Sequence, residues 1–151
     1  GLLNRRGFYA AVDALRQDDM PVALYLFDLD DLKRVNDTYG HGKGDEVLAA
    51  FGEILRRMTR GGDILCRYGG DEFIVVLRRV REKRDACRRG DEICAALREV
   101  CLPDGSPMGC SAGAVLCGPH EKPSAALIGR ADRALYKSKH AGKGACHVWE
   151  E

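Results

Sequence analysis

Residues 67–73 constrain the fold of this chain more than any other segment, because they set two glycines and two acids between short apolar runs. The runs, 64–66 and 73–77, are too short for helices and rich in β-branched or aromatic side chains, which is typical of strands. Paired glycines supply the positive φ angles of a tight turn and let a ligand approach the backbone. The segment therefore predicts a β-hairpin with Asp71 and Glu72 on its turn. Taken alone, it fits an ordinary hairpin with solvated acids better than a ligand site.

At 151 residues the chain is long enough for one domain with a buried core, and 45% hydrophobic and 31% charged residues are ordinary for a globular protein. With 24 Lys and Arg against 23 Asp and Glu, the net charge of +1 favours neither a nucleic-acid polymer nor an anionic membrane as partner. No apolar run approaches the ~20 residues of a membrane span, and no signal-peptide pattern is present. We expect a single cytoplasmic domain over residues 1–151. Because the chain begins abruptly at Gly1, we expect it to be excised from a longer protein, such as a membrane-bound sensor.

The cysteines help to define the cellular compartment. The chain has 7 cysteines, without a CxxC pair and scattered among apolar positions. This pattern suits reduced, buried thiols in the cytosol better than disulfides, and metal binding through sulfur is not expected. Cys87, Cys94 and Cys101 recur at even intervals that predict one face of a helix.

Apolar periodicity predicts an α+β domain in which helices alternate with strands. The charged run 78–89 is predicted to be a solvated connection. The predicted elements, in chain order, are a helix after Asn4, a buried strand over 22–27 that ends at Asp28, a helix over 47–58 stopped by Gly61 and Gly62, the hairpin, a helix around 93–101, a strand over 109–117, a helix over 124–140 and a strand over 146–149.

The order of these elements predicts their arrangement in space. From the first strand to the strand over 109–117 the order is β-α-β-β-α-β, the ferredoxin-like or palm-type core, here with a mainly antiparallel five-stranded sheet flanked by helices. In its usual strand order the third strand lies between the first two and antiparallel to both. Asp28, at the end of the first strand, then lies beside Asp71, at the start of the third. Acids distant in sequence are thus predicted to meet at one edge of the sheet.

Asp28, Asp71 and Glu72 are candidate ligands for Mg²⁺, which prefers hard oxygen donors and commonly uses one or two carboxylates with substrate phosphates. Two such ions ~4 Å apart activate an attacking hydroxyl and stabilise a leaving pyrophosphate oxygen during in-line displacement. Asp30 and Asp31 lie nearby. Because acids directly after a strand also cap the next helical turn, we predict capping for both.

A second set of polar residues follows the first strand. Gly40, Gly42 and Gly44 predict a glycine-rich loop ahead of a helix, where a phosphate or a base edge can approach backbone amides. Asn36 and Asp45 offer acceptors that match the N1–H and N2–H₂ edge of guanine. Their spacing alone leaves open a helix cap for Asp45 and a turn position for Asn36.

Several short motifs, each present once, follow one another along nearly the whole chain. They are Asn4-Arg5-Arg6, Asp28-x-Asp30, Lys33, Asn36-Asp37-x-x-Gly40-His41-x-x-Gly44-Asp45, Arg67-Tyr68-Gly69-Gly70-Asp71-Glu72-Phe73, Ser111-x-Gly113 and Ala131-Asp132-x-Ala134-Leu135-Tyr136-x-x-Lys139. Together they resemble the GGDEF domain, the diguanylate cyclase family. A five-residue string can arise by chance, but this ordered set is specific.

The resemblance implies a nucleotidyltransferase that works as a homodimer. Each domain would hold one GTP, and each ribose 3′-hydroxyl would attack the α-phosphate of the other nucleotide, which gives cyclic di-GMP and two pyrophosphates. By position, Asp28, Asp71 and the Leu29 carbonyl would bind two Mg²⁺ ions, with Mn²⁺ as an alternative. Glu72 would be a further metal ligand or help to deprotonate the hydroxyl. The implied substrate-binding residues are Asn36 and Asp45 for guanine, Lys33, Lys139 and Lys143 for the triphosphate, and Leu32 and His41.

Arg60 and Asp63 resemble the RxxD inhibitory site of the family, where the product cyclic di-GMP binds and halts catalysis. Arginine can hold a phosphate or a guanine Hoogsteen edge with two hydrogen bonds, and aspartate accepts from a guanine N–H. The alternative is an Arg–Asp surface pair around a helix end. For Lys139 and Lys143 the alternative is a pair of solvated lysines favoured by the dipole at a helix C-terminus.

Three positions depart from the family pattern: Leu32 stands where Phe is frequent, and Lys143 and Gly144 stand where Arg and Asn are usual. Lysine keeps the charge but loses the guanidinium fork, so we expect looser triphosphate binding. Two rival functions stay open. One is a GGDEF module without turnover that senses GTP or cyclic di-GMP, and the other is a related cyclase that accepts ATP. Asp45 opposes the second, because its carboxylate would face the N1 acceptor of adenine.

Overall fold

The computed structural model describes residues 2–150 as a mixed sheet flanked by α-helices. None of the helices in this range combines the length and the apolar character needed to cross a membrane. The helices are α1 (Arg5–Asp13), α2 (Leu32–Tyr39), α3 (His41–Met58), α4 (Lys83–Leu97) and α5 (Ala125–His140), and the strands are β1 (Val22–Leu29), β2 (Ile64–Arg67), β3 (Glu72–Arg78), β4 (Cys110–Leu116) and β5 (Cys146–Val148), with a short 3₁₀ helix, Gln17–Asp19, before β1.

The five strands form one sheet in the order β2-β3-β1-β4-β5. β1 is antiparallel to both β3 and β4, β2 is antiparallel to β3, and only β5 runs parallel to its neighbour. The predicted α+β fold and the predicted position of the third strand between the first two are therefore confirmed. β1 continues past its predicted end to Leu29, so Asp28 lies inside the strand, opposite Glu72 of β3 and Ser111 of β4.

The first strand is buried on both faces, as its continuous apolar run predicted. Its side chains alternate between two hydrophobic clusters, because successive residues of a strand point to opposite faces. Tyr25 and Phe27 pack with α2, α3 and α4 on one face, and Leu24 and Leu26 pack with α1 and α5 on the other. The buried Tyr25 hydroxyl donates a hydrogen bond of 2.6 Å to the Ala86 carbonyl, so its polar atom is paired.

The region after β1 differs from the prediction. Residues 32–39 form the helix α2, which the apolar pattern did not predict, because only Leu32 and Val35 are buried in it. Gly42 and Gly44 lie in the first turns of α3 and not in a loop. The side chain of Asn36 occupies the space that a Cβ on Gly44 would need. Glycine therefore permits close packing of α2 against α3.

Most of the charged run 78–89 is exposed or partly exposed, as predicted, but the prediction of a mere connection is wrong, because much of the run lies in a helix. Arg78 is the last residue of β3, and α4 begins at Lys83. Gly90 is buried inside α4, where an added Cβ would meet the side chains of Cys146 and Tyr25. The missing side chain lets α4 lie close to the sheet, which offsets the low helix propensity of glycine.

The seven cysteines are all free thiols, and most of them are buried. Cys87 and Cys94 share the helix α4, whereas Cys101 lies beyond its end and is exposed. The predicted helix face with three cysteines is therefore wrong, because the chain leaves the helix after Leu97.

Both edges of the sheet are short or covered. Along β2, the Leu3 N–H donates to the Leu65 carbonyl and the Arg67 N–H donates to the Leu3 carbonyl, both at 2.9 Å. The opposite edge, β5, is only 3 residues long. An open strand edge is a template for pairing with another chain, so this sheet offers little backbone for such pairing.

Candidate active site at the end of β1

The predicted acids meet at one end of the sheet. Asp28 and Glu72 are directly opposite each other on β1 and β3 and are partly buried, while Asp71 is exposed on the hairpin turn that precedes β3. Neither Gly69 nor Gly70 has a positive φ, so that part of the turn prediction is wrong. The turn is closed instead by the Glu72 carbonyl, which accepts from Tyr68 N–H at 2.9 Å and from Gly69 N–H at 3.3 Å.

Arg67 fixes the other side of the turn. Its Nε and a terminal nitrogen donate to the Gly70 carbonyl at 3.1 and 2.6 Å. The two glycines contribute mainly by the side chains that they lack: a Cβ on Gly69 would lie 3.3 Å from Glu72 Oε1, and one on Gly70 would meet no atom within 4 Å. The turn is thus held by hydrogen bonds on both sides and leaves open space at Gly70, next to Asp71.

Two of these acids, Asp28 and Glu72, have pKa values raised above the ordinary carboxyl range. Burial raises the pKa of Asp28, and the nearby charges of Asp71 and Asp30 add to this effect while Lys139 opposes it. Burial also raises the pKa of Glu72, together with the charges of Asp28, Asp71 and Asp132. Like charges held together in this way favour a proton or a bound cation.

Lys139 of α5 meets two acids of β1 and its extension. Its Nζ lies 3.3 Å from Asp28 Oδ2 and 3.1 Å from Asp30 Oδ1. Although partial burial opposes the charge of Lys139, the two carboxylates hold its pKa above the ordinary value. The interpretation of Lys139 as a merely solvated lysine is therefore wrong in this structure.

Asp30 is buried and does not cap α2. Its Oδ1 also accepts from the Ser111 hydroxyl at 2.8 Å, and Ser111 Oγ accepts from the Gly144 N–H at 3.1 Å. The chain Lys139–Asp30–Ser111–Gly144 therefore joins α5, β1, β4 and the loop before β5. The capping prediction failed because a long-range lysine and serine compete for the carboxylate.

Asp31 stands at the N-cap position of α2, but its side chain makes no capping hydrogen bond. Its backbone is left-handed, with φ of 59°, and its Oδ1 lies 3.1 Å from Lys143 Nζ. Capping by the Asp31 side chain is therefore also wrong. A cavity of about 370 Å³ adjoins this ion pair, and Arg34, Arg98 and Tyr39 help to line it.

The residues predicted to bind the nucleotide lie along α2 and the start of α3. Lys33, His41 and Asp45 are exposed there, whereas the Leu32 side chain is buried in the core and offers no polar contact. Asn36 Oδ1 is a buried acceptor without a hydrogen-bond partner among the described residues. Buried polar atoms are almost always paired, and this acceptor, which packs against Gly44 of α3, lacks the partner that a ligand donor would supply.

Arg60 and Asp63 lie at a different place, in the turn between α3 and β2. Arg60 is exposed, and the Asp63 carboxylate accepts from the Arg60 N–H at 2.9 Å and from the Arg78 N–H at 3.0 Å. The two residues therefore lie in one turn, and this turn is separate from the site formed by Asp28, Asp71 and Glu72.

The acidic residues fit Mg²⁺ by the chemistry of their donors. Asp28 and Glu72 provide carboxylates in register on neighbouring strands, and Asp71 adds a third from the turn. Within residues 2–150, no three acidic, histidine or cysteine side chains already stand close enough to enclose a metal ion. Mg²⁺ commonly binds one or two carboxylates and completes its shell with water and substrate phosphates, so a preformed cage is not required.

Two contributors were not assigned a role from sequence. Ser111 is a fully buried hydroxyl within the otherwise apolar strand β4, and Asp132 of α5 raises the pKa of Glu72. A lone polar residue in a buried strand is a usable sequence signal for Ser111. Nothing local in the sequence indicates that Asp132 lies near the hairpin.

This arrangement of a palm-type sheet with acids at the end of β1 defines a class of nucleotide-handling domains, and sequence comparison gives the family. The family model described as "Diguanylate cyclase, GGDEF domain" matches residues 1–145. The chain belongs to this family.

Individual relatives are similar over the full chain. The diguanylate cyclase DgcZ of Escherichia coli K12 is 36% identical over 156 residues, which cover 100% of this chain and 52% of that protein. The chain thus spans about half the length of this curated relative.

Solved structures share the fold. The active GGEEF domain of a diguanylate cyclase from Vibrio cholerae has a TM-score of 0.87 and 28% identity, covering 100% of this chain and 99% of that one. The GGDEF domain of DgcB from Caulobacter crescentus, in complex with c-di-GMP, has a TM-score of 0.85 and 26% identity, and the match covers 99% of this chain and 90% of that one.

Proposed function

We propose that this domain is a diguanylate cyclase that condenses two GTP molecules into cyclic di-GMP and two pyrophosphates. The observation that supports it most is the register of β1 and β3, which pairs Asp28 with Glu72 beside the Asp71 turn. Membership in the family and a relative named as a diguanylate cyclase support the same reaction. A cytoplasmic location follows from the proposed substrate, since GTP is a cytoplasmic nucleotide.

The proposed chemistry is an in-line displacement at each α-phosphorus. The 3′-oxygen of one GTP bonds to the α-phosphorus of the other, the bond to the bridging β-phosphate oxygen breaks, and pyrophosphate leaves. Asp28, Asp71 and the Leu29 carbonyl would hold Mg²⁺, or Mn²⁺, which polarises the phosphate and stabilises the leaving oxygen. Glu72 would be a further metal ligand or help to deprotonate the hydroxyl, and burial together with the neighbouring acids raises its pKa.

Lysines around the end of β1 neutralise the triphosphate in this proposal. Lys139 and Lys143 already lie on carboxylates of β1 and its extension, at 3.1 Å from Asp30 and Asp31 respectively. Lys33 lies in the first turn of α2, where backbone N–H groups also favour phosphate. The triphosphate would therefore bind where lysines and a helix N-terminus converge.

In this proposal, acceptors on α2 and at the start of α3 read the base. The unpaired Asn36 Oδ1 and the exposed Asp45 carboxylate are acceptors for the N1–H and N2–H₂ groups of guanine. Adenine places an acceptor at N1, which would face a carboxylate without a shared proton. This predicts GTP over ATP.

Each copy holds a single nucleotide, so one copy supplies only half of the reaction. Two copies must face each other with their acidic ends, and the rate per molecule then rises with protein concentration. Arg60 and Asp63 form the site where the product binds and inhibits.

The test is incubation of the domain with GTP and Mg²⁺ at several protein concentrations, with products identified by mass spectrometry. We expect cyclic di-GMP, a specific rate that increases with concentration, and loss of turnover in Asp71→Asn with an unchanged unfolding midpoint, because Asp71 is exposed. ATP in place of GTP is the matched substrate control. A dimeric preparation that binds GTP without converting it would overturn the cyclase and favour a nucleotide sensor.

A further inference from the structure

The turn that contains Arg60 and Asp63 is shaped by the Asp63 carboxylate. Oδ2 accepts from the Arg60 N–H at 2.9 Å, and Oδ1 accepts from the Arg78 N–H at 3.0 Å. The Asp63 N–H donates back to the Arg60 carbonyl at 3.0 Å. With 6% of its side chain exposed, Asp63 is engaged by backbone donors, while the Arg60 side chain points into solvent. Asp63 thus sets the conformation from which Arg60 reaches a ligand.

The Arg78 guanidinium lies inside this turn. One terminal nitrogen donates to the Gly61 carbonyl at 2.6 Å, the other donates to Asp19 Oδ1 at 2.7 Å, and Nε lies 3.7 Å from Asp63 Oδ1. A Cβ on Gly62, whose φ is 94°, would overlap the guanidinium. The turn therefore wraps around Arg78, and no other residue type offers donors in the same fork.

Through Asp19, Arg78 contacts the 3₁₀ helix Gln17–Asp19. Asp19 Oδ2 accepts from the Arg16 N–H at 2.8 Å, which fixes the carboxylate within its own segment. Two further bonds join the same segments, from Arg79 N–H to the Asp19 carbonyl at 3.0 Å and from Arg79 Nε to the Asp18 carbonyl at 3.1 Å. The segment that connects α1 to β1 is therefore fastened to the end of β3.

We propose that Arg78 is the positioning residue of the inhibitory turn and that Asp19 holds it in place. Product inhibition then depends on the segment between α1 and β1, although that segment contacts neither the proposed product site nor the acids at the end of β1. Because the catalytic acids lie at the opposite end of β3, the link acts on inhibition and not on the initial rate. This inference rests on the proposed cyclase and its inhibitory site.

The experiment compares Arg78→Lys and Asp19→Asn with the native domain. Lysine keeps the charge but cannot donate to Asp19 and Gly61 in the same fork, and asparagine keeps the shape but removes the charge that faces Arg78. Arg81→Gln is the matched control, because Arg81 is exposed and makes no hydrogen bond or ion pair among the described residues. Arg60→Ala defines the loss of inhibition. The readouts are the initial rate, the cyclic di-GMP concentration for half-inhibition, calorimetric binding of cyclic di-GMP, and the unfolding midpoint.

We expect both test variants to raise the half-inhibiting concentration about tenfold, which is in the usual range of coupling between sites. Their initial rates should stay within about twofold of the native rate. The half-inhibiting concentration of the double variant should not exceed that of the more strongly affected single variant, because the two residues act in one network. Unchanged inhibition in folded Arg78→Lys and Asp19→Asn, or a loss of rate parallel to the loss of inhibition, would overturn the inference. If the native domain makes no product, calorimetry of cyclic di-GMP binding still decides. Weaker binding in both variants than in the native domain supports the link. Equal binding in the variants and the native domain, or no binding by the native domain, refutes it.

Discussion

Two Asp–Lys pairs beside β1 differ mainly in burial, and this difference predicts unequal effects for the same substitution. Both pairs have a separation of 3.1 Å, but the Asp30 side chain is 8% exposed and the Asp31 side chain is 56% exposed. We expect Asp30→Asn to lower the free energy of unfolding by about 2 kcal/mol at pH 7. We expect Asp31→Asn to lower it by less than about 0.5 kcal/mol.

The larger figure follows from the contacts of Asp30. A hydrogen bond to a charged group contributes about 1.5–3 kcal/mol, and an asparagine side chain at this position would keep an acceptor for Ser111 but lose the charge that faces Lys139. Lys139 retains Asp28 at 3.3 Å, so the effect stays below the about 3–5 kcal/mol expected when a buried charge loses its only partner. At Asp31, water solvates both ions. Asparagine also tolerates the left-handed backbone there, so the substitution adds no strain.

Urea denaturation followed by circular dichroism measures the free energy of unfolding of both variants, and thermal denaturation measures their melting temperatures. Since 1 kcal/mol shifts the melting temperature of a domain of this size by about 2–4 °C, Asp30→Asn should melt about 4–8 °C lower and Asp31→Asn less than about 2 °C lower. Raising the salt to about 0.5 M should shrink only the effect at Asp31. Equal effects at the two positions, or a larger one at Asp31, would refute the argument that burial decides the strength of these pairs.

Two further predictions concern stability. The Arg16 N–H and the Arg78 side chain lower the pKa of Asp19 in the folded state, so its stabilising effect is full above the ordinary carboxyl pKa of about 3.9 and fades as the pH falls through the lowered folded value. The difference in unfolding free energy between the native domain and Asp19→Asn should therefore be present at pH 7 and shrink below about pH 4; a difference that grows in acid would contradict this sign. Gly113→Ala should destabilise the domain by about 3 kcal/mol, because the new Cβ would overlap the backbone of α5, which cannot rotate away as a side chain can. A thermal midpoint equal to the native one would disprove that close approach.

The sequence predicted the meeting of Asp28 and the hairpin acids because strand order and strand length determine it. Once β3 lies between β1 and β2, the end of the first strand must face the start of the third. Backbone angles at Gly69 and Gly70 were not predictable in this way. Two N–H groups converge on the Glu72 carbonyl and close the turn without the positive φ that paired glycines usually indicate.

Long-range polar contacts were the second feature that the sequence did not predict. Asp30 and Asp31 looked like helix caps because a cap is the nearest use for an acid after a strand. Their partners Lys139 and Lys143 come from the end of α5 and the loop that follows it, and no local pattern connects them. The helix α2 was missed for a related reason, since it buries only Leu32 and Val35 and depends on packing against its neighbours.

The covered edges of the sheet limit how molecules of this domain can associate. With Leu3 hydrogen-bonded along β2 and only three residues in β5, both edges offer little backbone for a sheet shared with another copy. Strand-by-strand assembly is thereby discouraged at the high local concentrations that the proposed two-copy reaction would require. In the proposed reaction, encounters between copies would then depend on side chains and bound nucleotide, which would make association reversible and open to control by whatever brings the acidic ends together.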